Sequence, residues 1–124
     1  MPGMFHEKLD AYRLALKHAG LAYTLAAAMR SGAGDLPDQL RRAAASIVLN
    51  IAEGAAEFSP AERMRIFRIA RRSATECSAI VDVAIEVGVL VEANRATART
   101  MQNRLVAMLT SLSMAKVSKP KPKP

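Results

Sequence analysis

Residues 39–54 read QLRRAAASIVLNIAEG. From Ala43 to Ala52 the stretch carries no charge, and its polar side chains there are Ser46 and Asn50. Arg42, Ser46, Asn50 and Glu53 follow at spacings of four, four and three, which on a helix stacks them into one polar ladder. The rest of that helix is Ala, Ile, Val and Leu, so most of its circumference requires burial. A helix apolar nearly all round, with a single polar seam, belongs at the centre of a helical assembly.

The flanks of this stretch supply start and stop signals. Asp35 offers an N-cap, Pro37 fits the first turn, and Gly54 suits the left-handed position that ends a helix. Upstream, Ser31-Gly32-Ala33-Gly34 is a loop, preceded by Phe5, Leu9, Tyr12, Leu16, Ala19, Tyr23 and Ala26 at alternating spacings of four and three. This predicts a long amphipathic helix over 4–29. Downstream, Ser59-Pro60-Ala61-Glu62 has the form of a capping box and opens a third helix over 60–87. Its expected inward stripe is Ile66, Ile69, Ser73, Glu76 with Cys77, Ile80, Val83 with Ala84, and Val87, and Gly88 stops it. A fourth helix begins near Glu92 or Asn94, with Met101, Leu105, Met108 and Leu112 as its stripe. No strand candidate is long enough to compete. Four helices with short connections predict an all-α, antiparallel up-and-down four-helix bundle over 1–115. The Lys-Pro alternation of 116–124 reads as an extended, disordered tail.

Composition agrees. The 124 residues suit one domain, and with aromatics at 4% and no Trp, the core must be built from Ala, Leu, Ile, Val and Met. A lone cysteine, Cys77, allows no intrachain disulfide and fits a reduced, cytoplasmic setting. Charges at Glu7, Lys8, Asp10 and Arg13 interrupt any N-terminal apolar run, and the uncharged part of helix 2 falls short of the roughly 20 residues a bilayer span needs. No membrane association or targeting signal is expected.

The net charge is +7, and the tail holds four of the lysines. The densest basic patch of the body is Arg63, Arg65, Arg68, Arg71 and Arg72. Arg65, Arg68 and Arg72 share one helical face, with Arg71 beside it, a stripe able to lie along phosphates. Without evident exposed aromatics for base stacking, such contact would be to the backbone of RNA or DNA rather than to bases. A solvated face or a subunit salt-bridge surface is the plainer alternative.

The polar ladder invites two readings. Arg42, Glu53 and Glu76 meeting between helices 2 and 3, with Ser46, Asn50 and Ser73 completing hydrogen bonds, would form a structural network that sets helix pairing and register. An active site would instead need a nucleophile beside a base. Neither Ser46 nor Ser73 has a histidine in its motif, and His6 and His18 show no partner in the sequence. Di-iron bundles need Glu-x-x-His on two helices, which is missing here. The reading is non-enzymatic, with no cofactor and no metal. Val48, Leu49 and Ala45 remain partly outward when Leu40, Ala44, Ile47 and Ile51 face the bundle, so a subunit contact is expected.

Taken together, QLRRAAASIVLNIAEG, the Ser-Pro-x-Glu helix start and IARRSATE (69–76) resemble the four-helix bundle family encoded in intervening sequences of bacterial 23S ribosomal RNA genes. They are also similar to the accessory variability protein of diversity-generating retroelements. The resemblance implies a homopentamer, with binding to nucleic acid and to a reverse transcriptase as what the retroelement relatives suggest. Carried over by position, the family's signature polar residues fall on Arg42, Ser46, Asn50, Glu53, Ser73 and Glu76. Two departures stand out. Ala56-Glu57-Phe58 replaces a frequent Gly-Arg before the Ser cap, and Arg72 stands where glycine is common. The expected function is a basic oligomeric scaffold that binds nucleic acid, the alternative being an oligomer that makes protein–protein contacts alone.

Overall fold

The computed structural model describes residues 2–114, with side chains from His6 onward. The lysine-proline tail and the side chain of Phe5 lie outside the described residues. The chain forms four long helices, α1 (Pro2–Ala28), α2 (Leu36–Ala56), α3 (Pro60–Glu86) and α4 (Arg95–Ser113), with a single 3₁₀ turn over Glu92–Asn94 before α4. Among the described residues there is no strand, and no helix is long and apolar enough to cross a membrane. Each helix packs against the next, and α1 also packs against α4.

One hydrophobic core joins all four. From α2 it takes Leu40, Ala43, Ala44, Ile47 and Ile51, as the apolar stretch requires, while Leu49 stays exposed and Ala45 and Val48 are half-buried. From α3 it takes Phe67, Ala70, Ala74, Cys77, Ile80, Val81 and Ala84. The expected α3 stripe is therefore rotated toward Phe67 and Val81: Ile69 is half-buried, and Val83, Val87 and Glu76 are exposed. In α4 the buried row is Ala98, Gln102, Leu105, Leu109 and Leu112, with Met101 and Met108 at its margins.

α1 differs most from its reading. Its buried face is Ala11, Leu14, Ala15, His18, Ala22, Leu25 and Ala26. Of the expected stripe, Leu16 and Tyr23 are each 48% exposed and Tyr12 and Ala19 only half-buried. At about 100° per residue the two rows lie roughly a third of a turn apart. The helix is apolar on both, and the alanine-rich one faces the core because small side chains let neighbouring helices approach closely.

Two glycines explain how the chain turns and packs. Gly88 has φ +83 and forms a Schellman end to α3: its N–H donates to Ile85 O at 3.0 Å, and Val89 N–H to Ala84 O at 3.0 Å. Gly54 does not end α2. The helix runs on to Ala56, and a Cβ on Gly54 would stand 2.6 Å from Phe67 Cε1, so this glycine makes room for the largest fully buried side chain of the core. At the helix starts, Ser59 accepts from Glu62 N–H at 3.3 Å, but the reciprocal half of the box is replaced: Ser59 N–H donates to Glu57 Oε1. Asp35 makes no side-chain cap. The two loops at one end are joined by Arg30 N–H donating to Val89 O at 2.9 Å.

Candidate nucleic-acid interface

Three of the five clustered arginines of α3 are engaged within the chain. Arg63 donates to Glu57 O at 3.1 Å, beside the end of α2, and Arg68 donates to Ser113 O at 3.4 Å, at the end of α4. Both positions hold a cation where helix carbonyls lack partners and the macrodipole is negative. Arg65 is paired with Glu62, and that hydrogen bond holds the Glu62 carboxyl below its usual range. Arg72 is exposed and Arg71 half-buried, and among the described residues neither side chain has an ion pair. Of the five arginines read as one patch, Arg71 and Arg72 are thus unengaged, Arg65 is exposed but paired with Glu62, and Arg63 and Arg68 are held by backbone carbonyls.

The polar ladder separates into two parts. Ser46 Oγ and Ser73 Oγ are 2.9 Å apart, and Asn50 Nδ2 donates to both Ser46 O (2.8 Å) and Ser46 Oγ (3.0 Å). These three residues join α2 to α3 where Ser73 is buried. Arg42, Glu53 and Glu76 lie on the surface and form no ion pair or side-chain hydrogen bond among the described residues. The charged members therefore do not lock this chain's core. The serines and the asparagine do, because short polar side chains satisfy one another without taking a full charge out of water.

Two further polar clusters went unread in the sequence. His18 is 1% exposed, and its Nε2 lies 3.2 Å from Gln102 Nε2, while Ser78 Oγ donates to Gln102 Oε1 at 2.7 Å. With an amide N–H as donor, His18 Nε2 is the acceptor and the ring is neutral. Burial pushes its pKa down to about 4. On the α3–α4 surface, Asp82 accepts from both Arg95 and Arg99, and Arg95 also pairs with Glu92 at 2.6 Å. A signal for the first existed: His18 and Gln102 each occupy a core-spaced position, between Ala15 and Ala22 and between Ala98 and Leu105. A polar residue within such a row needs a partner on a facing row. Asp82 gave no comparable signal, because its partners lie across a turn.

Cys77 is fully buried, and desolvation, with the nearby Glu76 charge, pushes its thiol up to about 12, so it is an inert core group. Among the described residues, no cluster of His, Cys, Asp or Glu could hold a metal ion.

The 23S rRNA-intervening sequence protein family matches residues 7–111, which takes in all of α2 and α3 and most of α1 and α4. The chain belongs to this family. No curated protein matches it. The family match spans the region carrying the three sequence blocks, from the α2 stretch through Glu76 of α3.

Proposed function

We propose that this member of the family is a non-enzymatic, basic homo-oligomeric scaffold that contacts the phosphate backbone of RNA or DNA. The bundle in this reading is up-and-down, with consecutive helices antiparallel. In support, Ser46 meets Ser73 across the α2–α3 connection, and Asp82 meets Arg95 and Arg99 across the α3–α4 connection, as residues set back similarly from a hairpin do. Self-assembly is supported by the uncovered apolar side chains Leu16, Tyr23, Leu49, Val83 and Val87, and by the exposed, unpaired charges Arg42, Glu53 and Glu76. A pentamer is the number the family resemblance favours. The buried, reduced Cys77 favours a cytoplasmic setting.

The observation that carries the nucleic-acid part is the row Arg65, Arg68, Arg71 and Arg72 on one helix without an intervening acid. Its test is a salt-titrated RNA and DNA binding assay on protein of measured oligomeric mass, comparing the native chain with Arg65→Glu/Arg68→Glu/Arg72→Glu. Weakened retention at low salt and a shallower salt dependence are expected. Unchanged retention defeats the proposed site. The second reading, an oligomer with protein contacts alone, draws its support from the intramolecular engagement of Arg63, Arg65 and Arg68. It would be favoured by an assembled native protein that retains no nucleic acid.

A further inference from the structure

Between α1 and α4 runs a surface groove of about 310 Å³, lined by Asp10, Arg13, Leu14, Lys17, Arg104 and Met108. Arg13, Lys17 and Arg104 are all exposed, and among the described residues none takes part in an ion pair or a side-chain hydrogen bond. In this they differ from the α3 arginines, three of which are held by carbonyls or Glu62. The spacing explains the convergence: Asp10, Arg13, Leu14 and Lys17 follow one side of α1 at helical intervals, and Arg104 and Met108 are one turn apart on α4. Three cations from two helices thus border one depression whose floor is Leu14 and Met108.

The charge along this groove is graded. Next to it lies a smaller depression of about 170 Å³ lined by Glu7, Asp10, Met108 and Ser111, so the acidic end of α1 meets the basic middle at Asp10. An anion would be repelled from the Glu7–Asp10 end and held over Arg13, Lys17 and Arg104. α4 itself carries three arginines and no acid, and Asp82 balances Arg95 and Arg99 but not Arg104. Among the described residues, the exposed large apolar side chains lie on α1, α2, α3, their loops and Met114, and none lies within α4. The outer face of α4 therefore offers no large apolar side chain to a subunit contact, and its charges suit a polar ligand.

The geometry points to the α1–α4 groove as a phosphate-binding site for a nucleic-acid strand, with Arg13, Lys17 and Arg104 as the phosphate contacts. This rests on the reading that the protein binds nucleic acid, and it assigns a surface separate from the α3 row. Arg13 and Arg104 supply planar forks suited to phosphate oxygens, and Lys17, one turn along α1 from Arg13, supplies a point charge.

The test compares four proteins binding a fluorescent single-stranded RNA and its DNA equivalent across a salt series: the native chain, Arg13→Gln/Lys17→Gln/Arg104→Gln, the α3 charge-reversal variant, and a control. The control, Ala27→Glu/Ser31→Glu/Ala93→Glu, removes the same net charge as the groove variant at exposed positions away from both surfaces. Helical circular dichroism and oligomeric mass check that each is folded, and single groove substitutions serve if the triple variant is not. Loss of three phosphate contacts should flatten the salt slope by about two and weaken binding roughly a hundredfold at 0.1 M salt, with each single change giving about a third of the slope loss. Groove and control variants that weaken equally reveal only bulk charge and overturn the assignment. Loss in the α3 variant with none in the groove variant overturns the groove and leaves the α3 proposal standing, whereas the reverse supports the groove and removes the α3 row. A native protein that binds neither strand at low salt overturns both.

Discussion

Gly54 reads from sequence as a stop signal, since glycine following a helical run so often takes the left-handed end position. Here it lies inside α2, and its hydrogen atom faces the ring of Phe67. The same residue type can relieve backbone strain or simply occupy less space, and only its neighbour across the helix interface decides which. Gly54→Ala would gain helix propensity of up to about 1 kcal/mol. It would also drive a methyl group into a ring that is 1% exposed and has little space to retreat. Overpacking of this kind costs about 1–3 kcal/mol, so urea unfolding should show net destabilisation. Adding Phe67→Leu should lessen the penalty of the alanine. An alanine variant more stable than the native protein would mean that the ring moves freely.

At the scale of the helices, polar side chains set which faces meet. Ser46, Asn50 and Ser73 join α2 to α3, Asp82 joins α3 to two arginines at the start of α4, and the His18–Gln102–Ser78 chain joins α1, α4 and α3. The last has a pH signature. His18 in the folded helix pair resists protonation down to about 4, whereas in the unfolded chain it protonates near 6.5. Acid therefore favours the unfolded state, and this contribution to stability is intact above pH 6.5 and is lost as the pH falls toward 4. The slope over that window is up to about 1.4 kcal/mol per pH unit for the one proton. The stability advantage of the native protein over His18→Gln, measured by denaturant unfolding at several pH values, should shrink across this window. An advantage that stays constant with pH would show that His18 is not shielded from protons.

For the whole molecule, the uneven distribution of exposed apolar groups is the dominant feature. Leu16 and Tyr23 on α1 and Leu49 on α2 are 48%, 48% and 61% exposed, while α4 shows none. In the proposed oligomer, the faces of α1 and α2 that carry these side chains meet a copy of the chain, and the outer face of α4 meets water or a charged ligand. Leu16→Glu/Leu49→Glu should therefore reduce the mass in light scattering to that of a single chain while leaving helical circular dichroism intact. An unchanged assembly would show that these residues are not its interface. Because neither side chain contributes to the buried core, loss of assembly and loss of fold can be told apart.

The number of helices and their approximate bounds were legible in the sequence, because helical periodicity, Ser59-Pro60, Gly32-Gly34 and Gly88 are local signals written in neighbouring residues. Which face turned inward was legible for α2, whose apolar side is broad, and not for α1, where two adjacent apolar rows satisfy the same period. The polar ladder was legible as a pattern, but its division into a buried Ser46–Asn50–Ser73 cluster and exposed Arg42, Glu53 and Glu76 depended on the rotation of α2 against α3. Likewise the arginines of α3 could be counted, while their carbonyl and carboxylate partners could not. The groove cations Arg13 and Lys17 are about ninety residues from Arg104 in the chain. Local signals determined the helices; the packing of one helix against another decided the surfaces, because burial and charge pairing depend on which residues meet in space.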